Sequence, residues 1–438
     1  MRNVLLGLVA LCAGAACAQS DPAPGRSPLS SAAQGVYTAA RPRLVQIRTV
    51  VTAAGRQSTL GSGFVVSGDG LALTNYHVVS KYALEPATYR LEYTSPDGTS
   101  GKVALLAIDV ANDLAVVRLD RRGGPSFQFD ARALHGDLPK GERLYSMGNP
   151  LDLGFAIVEG TYNGLVERSY NERMHFSGAL NPGMSGGPTV TADGHVVGVN
   201  VARRFGAELV SFLVPGRFAA ALLERAARAE PLSPKTVRAE IGRQLASWQA
   251  GLYKAVGAAG FRDAALGPYR ALESSAPWFR CWASTNADRV PRPRAIVEAT
   301  SCNTETQLFV ADDLGTGHIG VTHAYVKSLD LNAFQFATFL SQQYAPSLSG
   351  WNRKWQTRQR CHDDFVETAG PAPGPPLRAV WCARAYRDFD DLYDVSVTVV
   401  TQDRGDAALV SKLSMQGVAY GEAAALARRF VEATRIAP

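Results

Sequence analysis

With 438 residues, 46% of them hydrophobic and 19% charged, the chain has an ordinary globular composition and length enough for two or three cores. A formal net charge of +6 is mild for that length, and no dense Lys/Arg run concentrates it, so nucleic acid is not an expected partner. Beyond the N-terminus no apolar run approaches the roughly 20 residues of a spanning helix, so no membrane span is expected.

Residues 1–18 read as an export signal. Arg2 supplies the positive start, Val4 to Leu11 the apolar stretch, and Ala16-Cys17-Ala18 the small-residue cleavage site, leaving Gln19 first. A lipoprotein anchored at Cys17 ranks second, because Gly14 stands where such signals carry a bulky aliphatic residue. The mature protein is expected to be exported, periplasmic or secreted. Residues 19–33 are rich in Pro, Ser and Ala and are expected to form a disordered leader.

From residue 34 to 226 short apolar runs alternate with turn signals. RLVQIRTVV, GFVVSGDGLALT, LAVVRLD, RLYSMGNP, FAIVEGTYNGLVER and HVVGVNVA are the clearest runs, with Gly-Asp-Gly, Asn-Pro, Asn-Gly and Ala-Asp-Gly between strands. Many short strands at this spacing predict an all-β barrel or sandwich pair. The pattern ends near Val214-Pro215, where GRFAAALLERAARAE becomes helical.

Residues 227–275 read as a helical connector. Ser233 and Pro234 give an N-cap and a first helical residue. Val237, Ile241, Leu245, Trp248, Leu252 and Val256 then form one apolar stripe, ended by Gly257 and Gly260.

The remainder, 276–438, is predicted as an α+β accessory region built from two repeats, about 276–347 and 348–438. Each copy begins with a Cys-to-Cys hairpin, continues with β-like segments and ends in a helix-like one. Four cysteines lie here: Cys281, Cys302, Cys361 and Cys382. In an oxidising compartment they predict two disulfides. Three pairings are possible; the equal spacing favours Cys281 with Cys302 and Cys361 with Cys382, each contributing on the order of 3 kcal/mol. Zinc held by these cysteines with His318, His323 or His362 is the disfavoured alternative, since no Cys-x-x-Cys spacing occurs. Nothing in this region pairs a nucleophile with a base, so docking of a substrate or an unknown partner is its default role.

Chemistry concentrates earlier. Asn181-Pro182-Gly183-Met184-Ser185-Gly186-Gly187-Pro188 sets a serine among glycines, either a surface turn or a nucleophile beside backbone N–H groups aimed at a developing negative charge. A serine hydroxyl needs a base, and the base an orienting acid. His77, in Thr74-Asn75-Tyr76-His77-Val78-Val79, follows an apolar strand; Asp113 enters a buried strand, where a carboxylate needs a partner such as an imidazole N–H. His135, His175 and His195 carry no such context. The chain order His77, Asp113, Ser185 is the chymotrypsin order. Gly183-Met184-Ser185-Gly186-Gly187 also fits an α/β-hydrolase elbow formally. Pro188 onward leads to a strand, not a helix, and His195 follows too closely, so that reading is rejected.

TNYHVV, NDLAVVRLD, SMGNP, GLVER and NPGMSGGP, in this order, resemble the bacterial HtrA-type, trypsin-like serine endopeptidases, over about residues 36 to 225. The resemblance implies a double β-barrel with the site between barrels. It implies His77 as general base, Asp113 as its orienter, Ser185 as nucleophile, and the N–H groups of Gly183 and Ser185 as the oxyanion hole. Two departures stand out. Met184 occupies a position that is usually Asn in the family and Asp in digestive relatives, so activation through a buried salt bridge is not expected. No PDZ-like pattern follows residue 226.

Residues before the nucleophile, with Ala179 and Leu180 foremost, and the segment containing Ser211 and Phe212 are expected to wall the primary pocket. They bring no acid, which predicts a small or medium apolar residue before the scissile bond. The expected function is an exported serine endopeptidase acting on proteins or peptides through an acyl-enzyme, with no metal or organic cofactor. A chaperone or binding protein with a silent or gated protease site is the alternative, and an esterase a third.

Overall fold

Short apolar strands broken by turns close into two six-stranded antiparallel barrels in the computed structural model, which describes residues 31–203, 209–343, 348, 350–367 and 374–436. The export-signal expectation lies outside the described residues. So does most of the leader expected over 19–33, but its last residues are corrected: 31–33 begin helix α1 (Ser31–Ala40). Ala33, Val36 and Ala40 bury apolar side chains against the barrels, which holds that turn in place.

The first barrel contains β1 (Leu44–Val51), β2 (Arg56–Val65), β3 (Leu71–Thr74), β4 (Tyr89–Thr94), β5 (Ser100–Asp109) and β6 (Leu114–Leu119), in spatial order β1-β2-β3-β6-β5-β4. Helix α2 (Tyr76–Leu84) follows β3. The second barrel contains β7 (Arg143–Gly148), β8 (Ala156–Leu165), β9 (Met174–Phe176), β10 (Pro188–Val190), β11 (Val196–Arg203) and β12 (Ser211–Pro215), closed as β10-β11-β12-β9-β8-β7. Helix α3 (Ala131–His135) precedes it and α4 (Gly216–Ala226) ends it.

Apolar runs such as LALT and LAVV lack polar alternation because both strand faces are covered. Ala72, Ala115 and Val117 point into the first barrel, whereas Leu71, Leu73, Leu114 and Val116 join Tyr145, Met147, Val199 and Val214 between the barrels. That second cluster brings the mouths of the two barrels together.

Helix α5 (Pro234–Ala259) starts at a capping box between Ser233 and Thr236 and runs through Gly257. Its stripe serves two neighbours. Val237, Ile241 and Leu245 extend the core of the first barrel, whereas Leu252, Tyr253 and Val256 pack on the C-terminal sheet. The segment read as a purely helical connector ends differently, since β13 (Phe261–Leu266) and β14 (Tyr269–Ser274) form a hairpin there.

The C-terminal region is built on one seven-stranded antiparallel sheet. Its strands are β15 (Arg280–Thr285), β16 (Ala295–Asn303), β19 (Ile319–Ser328), β20 (Arg360–Val366), β21 (Leu377–Ala385), β22 (Tyr393–Thr401) and β23 (Ala407–Val418), ordered β15-β16-β19-β23-β22-β21-β20. A separate hairpin, β17 (Leu308–Ala311) and β18 (Leu314–Thr316), leaves it between β16 and β19. Helices α6 (Ala333–Gln343) and α7 (Tyr420–Glu432) follow β19 and β23, and β24 (Arg435–Ile436) pairs with β14. Both edge strands are stapled to their neighbours, Cys281 opposite Cys302 and Cys361 opposite Cys382, in two disulfides with the pairing favoured by spacing. The disulfides leave these sulfurs no thiolate for a metal. No described helix is long and apolar enough to cross a membrane.

Candidate active site

Antiparallel register brings the first two candidate residues together. Strands β3 and β6 pair Thr74 with Ala115, so the end of one and the start of the other meet at His77 and Asp113. Asp113 takes a left-handed backbone (φ 61°) in the turn before β6, and Asn75 Nδ2 donates to its carbonyl at 2.7 Å. Its carboxylate then holds His77 twice. Oδ1 accepts the backbone N–H at 2.8 Å, and Oδ2 meets Nδ1 at 2.6 Å. A carboxylate beside Nδ1 makes that nitrogen the donor, which leaves the Nε2 lone pair free. Burial works against a charged imidazole, but the charge and hydrogen bond of Asp113, with the charge of Asp312 adding, outweigh it and raise the pKa of His77 above its ordinary value.

The serine loop is built by contacts from both barrels. Asn181-Pro182-Gly183-Met184 forms a turn closed by Met184 N–H to Asn181 O at 3.0 Å, with Pro182 first in the centre and Gly183 second at φ 93°. That is a type II turn, and glycine is required where φ is positive. Among the described residues the N–H groups of Gly183 and Ser185 have no intramolecular acceptor. Ser62, from β2, donates its hydroxyl to Gly183 O at 2.7 Å and accepts the N–H of Asn149 at 2.9 Å, while its own N–H donates to Ser185 O at 2.8 Å. Asn200, fully buried, donates from Nδ2 to Met147 O at 2.9 Å and to Met184 O at 3.1 Å. Its Oδ1 accepts from Ser146 and Thr189, each at 2.7 Å. Gly186 lies so close to Ser62, Thr74 and Asn75 that a Cβ there would fall 2.2 Å from Ser62 O. The loop therefore rests directly on the residues that lead into His77.

Ser185 Oγ donates to Val201 O at 3.4 Å; among the described residues it makes no hydrogen bond to the imidazole. Met184 is buried in the second barrel with Met174, Phe176, Leu180 and Leu213, an apolar plug beside the serine. Of the expected pocket residues, Ala179 is exposed, whereas Leu180 belongs to the barrel core and donates its N–H to Ser211 Oγ at 3.2 Å. Phe212, the next residue of β12, lines a cavity of about 300 Å³ shared with the C-terminal region.

Sequence reading missed several residues around this site. Asn200 had a signal, because a lone amide inside the apolar run VVGVNVA must be hydrogen-bonded when buried. Ser62 had only its place among glycines. Phe309 and Asp312, beside His77 in space, had none, because more than two hundred residues separate them in the chain.

Residues 61–199 match the trypsin-like peptidase domain family. The serine protease HhoB of Synechocystis sp. is 33% identical over 168 residues, covering 36% of this chain and 38% of that protein. A DegP-like periplasmic serine endoprotease of Chlamydia muridarum is 31% identical over 152 residues (34% of this chain, 29% of that protein). The serine protease HTRA1 of Xenopus tropicalis is 29% identical over 163 residues (35% of this chain, 33% of that protein). The chain thus spans about a third of the length of these relatives. Residues 61–199 thus match a trypsin-like peptidase domain and are similar there to serine proteases of the HtrA and DegP kind.

Proposed function

We propose that the protein is an exported serine endopeptidase in which Ser185 attacks the peptide carbonyl and His77 Nε2 takes its proton. Asp113 fixes the imidazole in the required tautomer and stabilises its charged form. The N–H groups of Gly183 and Ser185 receive the oxyanion. The protonated His77 then hands its proton to the leaving amine. Water, deprotonated by the same imidazole, hydrolyses the acyl-enzyme and regenerates Ser185. The observation that carries this reading is the double engagement of His77 by the Asp113 carboxylate.

The domain reading that accompanies it is a peptidase unit over 34–226, a connector over 227–275 and an accessory region over 276–438. Export follows from the signal-like N-terminus and is supported by a relative named as periplasmic. Ala179, Leu180, Ser211 and Phe212 stay assigned to the neighbourhood of the primary pocket, with a preference for a small or medium apolar residue before the scissile bond. Dominant cleavage after Arg or Lys in a peptide-library digest would overturn that preference.

One observation favours a second reading, a gated site. The Ser185 hydroxyl faces Val201 O and must rotate to meet the imidazole. A fluorophosphonate probe separates the two. Labelling of wild type and none of Ser185→Ala is expected of the active enzyme, whereas a folded wild type that stays unlabelled until substrate is added supports gating.

A further inference from the structure

The two halves of the C-terminal sheet differ where they meet the peptidase domain. After its disulfide-stapled pair the second half continues within the sheet, from β21 to β22 and β23. The first half instead sends out the hairpin β17–β18 before returning as β19. The hairpin lands on α2. The Phe309 ring lies edge-on to His77 at 5.9 Å and to Tyr76 at 6.2 Å. Tyr76 Oη donates to Val310 O at 2.9 Å, and Lys81 pairs with Asp312 at 2.9 Å. Leu308, Val310, Ala311 and Leu314 share one buried cluster with Tyr76 and Val78. This is a seated contact, not a grazing one.

Immediately before the hairpin, Thr304–Gln307 face the loop 166–173 of the second barrel across the cavity of about 300 Å³. Three of its borders reach the active site. Phe212 stands opposite Ala202 in the β11–β12 pairing, one residue beyond Val201, whose carbonyl accepts from Ser185. Arg173 Nη2 donates to Ala111 O at 3.5 Å, two residues from Asp113. Gln307 is two residues from Phe309, whose ring lies against His77. The loop itself is fixed by the chain that follows the barrels: Tyr170 packs between Trp248 at 5.5 Å and Trp278 at 5.3 Å, and Trp248 Nε1 donates to Asn171 Oδ1 at 2.9 Å.

The cavity has a sign. Arg168, Arg173 and Arg280 line it against one carboxylate, Glu305. Glu305 is taken by Arg280 at 3.3 Å. Arg173 has only backbone carbonyls as hydrogen-bond acceptors, Glu172 O at 2.8 Å and Ala111 O. Arg168 is exposed and forms no ion pair among the described residues. A guanidinium at the edge of such a recess offers a carboxylate two parallel N–H donors.

We propose that Thr304–Thr316 is a wall of the substrate cleft, and that the cavity takes an Asp or Glu side chain of the polypeptide on the N-terminal side of the scissile bond. That side is assigned because Phe212 belongs both to the cavity and to the neighbourhood of the pocket for the residue before the bond. The inference rests on the peptidase reading above and adds a specificity that the two barrels alone do not hold.

The test is a positional peptide library digested by the full chain, with fluorophosphonate labelling run in parallel. Wild type should favour Asp or Glu over Gln at one position two to four residues before the cleaved bond, by about tenfold in kcat/KM, equivalent to about 1.4 kcal/mol. Arg168→Glu should remove that acidic-over-neutral ratio, Arg168→Lys should keep most of it, and both should melt near the wild-type temperature. A wild type that labels and cleaves without acidic preference, or a preference untouched by Arg168→Glu, overturns the inference and leaves the peptidase reading standing. A folded wild type that neither labels nor cleaves overturns both.

Discussion

Ser62 Oγ donates to the carbonyl of Gly183 at 2.7 Å, so a hydroxyl from the first barrel fixes the turn that presents backbone N–H groups in the second. The same oxygen accepts from Asn149 N at 2.9 Å, and the side chain is 1% exposed. Ser62→Ala would leave a buried donor, the Asn149 N–H, and a half-buried acceptor, the Gly183 carbonyl, unpaired, at up to about 1–3 kcal/mol each. The expected result is a fall in kcat of about 10- to 100-fold, less than the roughly 10²–10³ that removing an oxyanion donor outright costs, with KM little changed. Steady-state kinetics and the rate of fluorophosphonate labelling check it; wild-type kcat would remove Ser62 from the machinery.

Asp113→Asn offers His77 one acceptor where the carboxylate offers two. Either the backbone N–H of His77 or Nδ1–H then loses its partner, and the amide donor favours the wrong tautomer. A loss of about 10⁴-fold in kcat is expected from the triad template, with a near-native fold by circular dichroism. A variant within tenfold of wild type would place the orienting acid elsewhere.

The charge of Asp312 raises the pKa of His77, and His77 must be neutral to act as base. Activity therefore rises with pH through the raised value. Asp312→Asn removes one of the raising charges, so the acidic limb of the kcat/KM profile should move to lower pH. An unmoved limb would mean that Asp312 is electrostatically silent at the imidazole.

His323 makes the opposite kind of contribution, to stability. It is 1% exposed and stacks on Phe430 at 5.7 Å; Nδ1 is 2.7 Å from Ser411 Oγ and Nε2 2.9 Å from Leu272 O. Burial lowers its pKa, against the pull of the Leu272 carbonyl and Glu273. A group with a depressed native value binds its proton more readily when unfolded. Its contribution is thus present above the unfolded pKa of about 6.5 and lost as pH falls below it. Melting temperatures between pH 7.5 and 5 should fall more steeply for wild type than for His323→Gln; parallel curves would refute the assignment.

Residues 34–226 expressed alone should lack peptidase activity. Tyr76, beside His77, is fully buried, and its cluster includes Leu308, Val310, Trp355 and Phe389 from the C-terminal region. Removing that cover exposes the face of α2. A soluble fragment that digests unfolded protein at the rate of the full chain would show that the region serves only for placement.

Much of the peptidase domain was legible in the sequence because its signals are local. Strand ends carry turn residues, both-face burial leaves unbroken apolar runs, and a carboxylate at the mouth of a buried strand demands a partner, as Asp113 does. The disulfide pairing was legible too, since equal spacing reflects two hairpins of equal length. What local pattern could not reach was every contact made at a distance. No periodicity in Leu308–Thr316 says that this hairpin leaves its sheet, or that Phe309 faces His77. The capping of α5 fixed a helix, yet only packing decided that half of its stripe covers a barrel and half a sheet. Chain composition sets which faces must be buried; which face covers which is settled by the shapes of the assembled elements. The sequence alone therefore set a histidine, an aspartate and a serine in one chain order with their turn residues, and the tertiary structure decided that the Asp113 carboxylate meets His77 and that a C-terminal hairpin packs beside that histidine.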